Sequence, residues 1–310
     1  MEVTTVQHHF LQSTAWQAFQ EALGRTTFRR SGNGWEFLAI LERGKGNARL
    51  YCPYGPAARD TQAFHAAVDA LVKLAKSKQV TFVRVEPTAP EFAAQLRQQG
   101  WKKVTYQHLQ PAHTNIVDLS QDSDALLSAI GSSNRNLFRN YQKKGLVIHQ
   151  STDPEQISIF LELIHKVAAR TGMRPHADHY FIQQAKTLFP LGAGSLFYVT
   201  HQDTPITASI VYDDATTRYY AHTGNDSDYT KQRGGNILIP HMMLDAKEKG
   251  LQYFDFYGVA PPDAPNTHPW SGFSAFKRSF GGDDLSYGGI WELPLQPAKY
   301  WLYRAYQTLR

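Results

Sequence analysis

The residues best suited to chemistry fall in one late stretch, Tyr253–Gly282. Asp255 lies near the end of a short apolar run, YFDF, which Gly258 breaks. A Pro-rich loop of about a dozen residues follows, longer than ordinary connections. A predicted helix comes next, with Ser271 or Ser274 near its start and Lys277 a few residues in. In open α/β sheets, ligands gather beyond the carboxyl ends of strands, where such loops collect. A fixed Lys277 ammonium there would stabilise developing negative charge; on an exposed helix it would be a solvated cation. Asp255 is either a proton acceptor or a carboxylate that braces its own loop by hydrogen bonds.

Other groups offer alternatives. In NRNLFRNYQKK, Arg135, Arg139 and Lys143 fall one turn apart, which predicts a helix over Asn134–Lys144 with a basic face. Such a face is a solvated surface or a seat for phosphates. Lys231–Asn236, KQRGGN, runs Gly-rich backbone into a predicted helix, which could present N–H groups to a phosphate or be a plain turn. It only approximates the loop of acyl-CoA-dependent N-acetyltransferases. His176 and His179 flank Asp178 but lack the fixed third ligand and general base of a zinc site, so no metal is expected. No G-x-S-x-G, GxxxxGK[ST] or strand-borne GxGxxG occurs, which leaves hydrolase and nucleotide-hydrolysing readings unsupported. Cys52 is the only cysteine, excluding an intrachain disulfide and a multi-cysteine zinc site.

The elements that must position these residues fit a chain of 310 residues, long enough for two domains. Its 42% hydrophobic and 13% aromatic content is ordinary for a globular protein, and a net charge of +5 admits an anionic partner. No apolar run approaches the ~18 residues of a membrane helix. The start, MEVTTVQHHF, lacks the pattern of a secretory leader. The expectation is a cytoplasmic protein without an integral membrane segment, making at most a peripheral contact with the inner membrane face.

Periodicity predicts a helix through Trp16, Phe19 and Leu23, a hairpin of Glu36–Leu41 and Asn47–Tyr51, and a helix over Thr61–Lys78. Strand Val80–Val85, helix Ala89–Gln99 and strands Trp101–His108 and Thr114–Leu119 complete the first half. The second half reads as helices Gln156–Arg170 and His179–Leu188, hairpin Leu196–His201 with Ile206–Tyr212, strand Arg218–Thr223 and helix Asn236–Lys249. Each half holds a β–loop–α–β unit preceded by antiparallel strands, which implies two similar mixed α/β domains in tandem. A last helix, Ala298–Leu309, carries Trp301, Leu302, Ala305 and Leu309, which must pack somewhere, with the first domain a candidate.

Ordered motifs along nearly the whole chain resemble the Fem-type aminoacyltransferases. LQSTAW (Leu11–Trp16) is similar to the family's Q-S-x-x-W, and YGP (Tyr54–Pro56) to its GP turn. Val83–Pro87 resembles its strand ending in proline, and HTNIVDLS (His113–Ser120) with NRNLFRN (Asn134–Asn140) its entry into the second domain. RTGMRPH (Arg170–His176) and YYAHTG (Tyr219–Gly224) match further blocks. YFDFYGV followed by GFSAFKRSFGG is similar to the D-F-x-G … F-K-x-x-F-G signature.

The resemblance implies an α/β (α+β) fold of two tandem acetyltransferase-like (GNAT) domains with mixed central sheets. It places residues 1–119 and 289–310 in the first domain and 120–288 in the second. The implied enzyme is of the short form without a helical arm. It moves an amino acid from aminoacyl-tRNA to a stem-peptide amine of UDP-MurNAc-pentapeptide or lipid II in peptidoglycan synthesis, with no cofactor. Lys277 and Phe276 are the implied catalytic pair; Arg170, Arg174, Tyr220, Asp255 and Tyr257 are candidates for substrate contacts, and Arg135, Arg139 and Lys143 for tRNA or phosphate. The family often carries a phosphate-binding lysine four residues after the opening Trp, where this chain has Gln20; Arg25 or Arg29 are candidates to replace it. The alternatives are an acyl-CoA-dependent N-acyltransferase and a non-catalytic precursor- or RNA-binding protein.

Overall fold

The Ser13 hydroxyl accepts the N–H of Trp16, and the helix α1 (Thr14–Ala22) begins there, burying Trp16, Phe19 and Gln20. The structure, a computed structural model, describes residues 8–44, 46–107 and 109–308. Strands β1 (Thr26–Gly32), β2 (Trp35–Gly44) and β3 (Asn47–Cys52) form an antiparallel meander. A two-residue strand β4 (Ala57–Ala58) leads to α2 (Thr61–Ser77), whose N-terminus is capped by Asp60. Next come β5 (Phe82–Val85), α3 (Pro90–Gln98) and β6 (Lys102–Lys103). The second half runs β7 (His113–Asp118), α4 (Ser123–Ala129), α5 (Ser132–Asn140), β8 (Leu146–Ser151), α6 (Ile157–Thr171) and α7 (Asp178–Leu188). It continues through β9 (Gly194–His201), β10 (Thr204–Asp213), β11 (Thr217–Asn225), α8 (Gly234–Glu248), β12 (Tyr253–Asp255), α9 (Ser271–Arg278) and β13 (Asp283–Ser286). The chain ends with β14 (Trp291–Pro294) and α10 (Pro297–Thr308).

These elements form two compact units, one made of residues up to Ala112 with those from Ser286 onward, the other of His113–Leu285. The first sheet runs β1-β2-β3-β5-β14-β6, with β4 on β2; the second runs β13-β7-β12-β11-β10-β9-β8. In each sheet a helix returns the chain to a parallel neighbour: α2 joins β3 to β5, and α8 joins β11 to β12. The repeated β–α–β layout read from the sequence is therefore the frame of both units. Phe64, Leu71 and Ala75 of α2 bury one core with Val83 and Val85, and Phe64 stacks on Phe92 of α3. Phe197, Ile237, Met242 and Phe254 mark the other.

Several local expectations change. The strand expected over Thr114–Leu119 forms over His113–Asp118, yet it pairs with β12, Val117 opposite Phe254, and so belongs to the second sheet. Membership was set by a partner far along the chain, which local pattern cannot reveal. The Asn134–Lys144 helix stops at Asn140 and continues as a 3-10 turn, Tyr141–Lys144, ended by Gly145 at φ 69°. The strand expected over Trp101–His108 shrinks to Lys102–Lys103, and His108 lies outside the described residues. Strands β1, β8, β13 and β14 were not anticipated. Gln20, where the resemblance led to a lysine, is fully buried and accepts from Arg25. Arg29 is bound to Gln17, Glu36 and the Gln12 carbonyl, so it is held by the fold.

The last helix packs on the first unit, but through Tyr300 and Tyr303 rather than through Trp301 and Leu302. Leu309 lies outside the described residues. Among the described residues no helix is long and apolar enough to cross a membrane.

Strand β14 is secured by a charge. Arg84 of β5 and Glu292 of β14 face each other in register, both fully buried, with Nε 2.9 Å from Oε1. The hydroxyls of Tyr106 and Tyr300 also donate to Glu292. Removing one partner of a buried pair strands the other charge, at a cost of about 3–5 kcal/mol. We therefore predict that Glu292→Ala lowers the unfolding free energy of the first unit by about 3 kcal/mol in urea titrations. A loss near zero would show that the tyrosines alone can hold Arg84.

Candidate active site

Parallel strands β11 and β12 stay together only from Thr217/Tyr253 to Tyr219/Asp255. Strand β12 then ends, while β11 runs on to Asn225 paired only with β10. The exposed edge of β11 beyond that point supplies Tyr220, Ala221, His222 and Thr223 to a cavity of about 410 Å³.

The end of β12 is set by Asp255, which is buried. Its Oδ1 accepts from the Thr114 hydroxyl of β7 and from the Tyr257 N–H at 2.6 Å. That second bond stabilises Tyr257 in the left-handed region, φ 51°, a conformation costing a non-glycine residue ~1–2 kcal/mol. Gly258 follows at φ 114°, a conformation that needs glycine. The turn aims the carbonyls of Phe256 and Gly258 at one point.

Lys277 occupies that point. Its Nζ donates to Phe256 O at 2.5 Å and Gly258 O at 2.8 Å, and lies 3.9 Å from the Phe273 ring centroid. Only 2% of the residue is exposed, yet it lines the cavity. Burial pulls its pKa down to about 7, partly countered by Asp255. An amine poised near neutrality can act as an ammonium or give up a proton.

Opposite walls come from Ile164 of α6, Phe181 of α7 and the connection Met173–His176 between them. The Tyr212 hydroxyl bridges the buried Gln184 amide, at 2.6 Å, and His222 Nε2, at 2.8 Å. Burial, with His176 nearby, lowers the His222 pKa to about 3, so its imidazole is neutral. His176 stacks on Tyr180, centroids 4.0 Å apart, and Asp178 pairs with His165 at 2.7 Å.

Of the residues singled out from sequence, Lys277, Arg174, Tyr220 and Tyr257 line this cavity, and Asp255 shapes its rim from behind. Phe276 does not line it: one residue round the helix from Lys277, it packs toward Phe280 and Gly235. Phe273, one turn before Lys277, is the aromatic beside the amine, and i, i+4 spacing was the available signal. Arg170 lies exposed in the last turn of α6, outside the cavity lining. Arg135 donates to the carbonyls of Ser128 and Ile130, closing the end of α4, while Arg139 and Lys143 are exposed. His222 was missed as a wall residue, because nothing local marks which strand edge a cavity will use, and His176, weighed from sequence only as a metal ligand, also lines the wall.

The loop before α8 is also occupied. Arg233, φ 54°, caps the helix start and donates to Ser133 Oγ at 2.9 Å and Asn134 Oδ1 at 2.6 Å. Asn236 donates to the same Asn134 oxygen, and Asn134 itself to Ser279.

Two units built on the same β–α–β frame, the second with a cavity where its parallel strands part, make up a tandem acetyltransferase-like (GNAT) fold. An acetyltransferase (GNAT) domain model matches residues 132–278. The fold is similar to that of FemX, whose crystal structure superposes with a TM-score of 0.83 at 17% identity, covering 95% of this chain and 94% of that one. Lipid II:glycine glycyltransferase of Staphylococcus aureus is 24% identical over 149 residues, 44% of this chain and 35% of that protein. The chain thus spans about a third of the length of the curated relatives it matches. The C-terminal domain of a putative lysylphosphatidylglycerol synthetase from Agrobacterium fabrum has the same fold more distantly, with a TM-score of 0.63 at 12% identity, covering 96% and 92% of the two chains.

The Lys277 amine makes stability depend on pH in a defined direction. Its folded pKa of about 7 lies below the ordinary lysine value of 10.5, so the unfolded chain binds more protons between those values. Stability therefore rises with pH across that window, and the full cost of burying the charge is present below it. We predict that the melting temperature of the wild type, relative to Lys277→Met, increases from pH 7 to pH 10 in buffers matched for ionic strength. A difference independent of pH would mean that Lys277 titrates as an ordinary lysine.

Proposed function

We propose that this chain is an acyltransferase that moves an aminoacyl group from tRNA to a stem-peptide amine of a peptidoglycan precursor, nucleotide-linked or lipid-linked. The observation that carries the reading is Lys277, buried at the parting of β11 and β12 and held by two carbonyls at the cavity. The likeness to FemX and to lipid II:glycine glycyltransferase supports it.

The acceptor amine attacks the ester carbonyl, forming a C–N bond and a tetrahedral oxyanion. The C–O bond to the ribose then breaks, the ribose oxygen gains a proton and the amine nitrogen loses one. Esters are already activated, so positioning and charge stabilisation supply most of the catalysis. In this reading the Lys277 ammonium stabilises the oxyanion, and its pKa of about 7 suits proton delivery to the departing oxygen. Asp255 braces the loop through Thr114 and the Tyr257 backbone. Phe273 and Tyr220, flanking Lys277, favour its charged form through their ring faces. Arg174 is the cavity cation available to an acceptor carboxylate or phosphate. Exposed Arg139 and Lys143 are assigned to the tRNA backbone, which requires binding to weaken with salt.

An acyl-CoA donor remains the competing chemistry for a GNAT unit. The loop before α8, Lys231–Asn236, argues against it, since KQRGGN only approximates the Gly-rich loop of acyl-CoA-dependent N-acetyltransferases. The test is to incubate the protein with a pool of charged tRNAs and either UDP-MurNAc-pentapeptide or lipid II, and to weigh the product. We predict an acceptor heavier by one aminoacyl residue, with Lys277→Met slowing turnover by about 10²–10³-fold while the circular dichroism spectrum is kept. Transfer from acetyl-CoA without transfer from charged tRNA would overturn the reading.

A further inference from the structure

Helix α10 is mounted with its hydroxyl-bearing side inward. Tyr300 is fully buried and donates to Glu292, while the Tyr303 hydroxyl accepts from Arg84 at 3.2 Å. The other side carries Ala298, Trp301, Leu302, Ala305 and Tyr306, the i, i+3, i+4, i+7, i+8 stripe that a helix normally turns toward a core. Here Trp301 is 54% and Leu302 72% exposed. Cations flank the stripe. The Lys102 ammonium of β6 lies 5.6 Å from the Trp301 ring centroid, and exposed Lys299 borders Leu302 on the helix surface. No acidic residue occurs between Pro297 and Thr308.

We propose that this face of α10, centred on Trp301 and Leu302, is a peripheral docking surface for an anionic lipid bilayer. Tryptophan suits the boundary between headgroups and acyl chains, a neighbouring leucine adds burial, and flanking lysines reach lipid phosphates. Charge complementarity selects this occupant. The centre of a protein–protein interface is depleted of charge, and a second copy on this face would desolvate the Lys102 ammonium above Trp301. At a membrane the same ammonium meets phosphate instead. The surface lies on the first unit and is independent of the chemistry assigned to Lys277.

The experiment is co-sedimentation of the full chain with phosphatidylcholine vesicles containing or lacking about one-third phosphatidylglycerol, at low and high salt. The wild type is expected to sediment with the anionic vesicles and to be released by salt. Trp301→Ser with Leu302→Ser should weaken this partitioning at least about tenfold, and both positions are exposed enough to change without disturbing the core. Lys102→Glu with Lys299→Glu should abolish the preference for anionic lipid. No sedimentation of the wild type, or equal sedimentation of the serine variant, overturns the proposal. So does a wild-type dimer in light scattering that the serine variant converts to a monomer, which would assign the face to a second copy. None of these measurements uses a transfer assay, so failure here leaves the reaction proposed above standing.

Discussion

The candidate site depends on one carboxylate closing one strand. Asp255 holds the Thr114 hydroxyl and the Tyr257 N–H together, and β12 cannot continue along β11 past that clasp. The turn that follows makes Lys277 a buried group, because the Phe256 and Gly258 carbonyls are directed inward and only a donor can satisfy them. Cavity, amine and lowered proton affinity thus share one origin. Asp255, read from the sequence as either a proton acceptor or a brace for its own loop, is in space a brace for that loop.

The two units show how the same architecture is opened or sealed. In the second, the parting of the parallel strands leaves about 410 Å³. In the first, β3 and β5 remain paired to Cys52 and Val85, and the Glu86 N–H still reaches the Cys52 carbonyl. Gln12 fills the adjoining space, bonded to the Leu38 N–H and the Pro53 carbonyl, and His9 lies 3.9 Å from the Tyr54 ring. A neighbouring void of about 10 Å³ remains, roughly a single water, beside the buried Glu86. A gap between diverging strands is therefore an option of this fold, and the side chains decide whether it is used.

Much of this was legible in the sequence where chemistry is local. Caps, amphipathic helices and the doubled β–α–β pattern declared themselves, because Asp60 and the Phe64–Leu71–Ala75 face need only near neighbours. The Fem-type resemblance pointed to Lys277 through its motif. What stayed hidden depends on long-range register. Residues 113–118 read as a strand of the first half until their pairing with β12 assigned them to the second. The motif drew attention to Phe276, while the i, i+4 spacing that sets Phe273 beside Lys277 went unused until the rotation of α9 showed which ring faces the amine. Trp301 and Leu302 were expected to be buried, since hydrophobic periodicity locates an apolar face but not the solvent it meets.

Strand β14 has a consequence for how the protein is made. It lies between β5 and β6, so the first sheet is incomplete until residues near 291 have been synthesised. Until then Arg84 has no Glu292, and the edge of β5 is open. All of the second unit leaves the ribosome before that strand arrives. The first half of the message therefore encodes the half of the protein that must finish folding last. An unpaired sheet edge has to survive in the cell for the time needed to translate about 200 further residues.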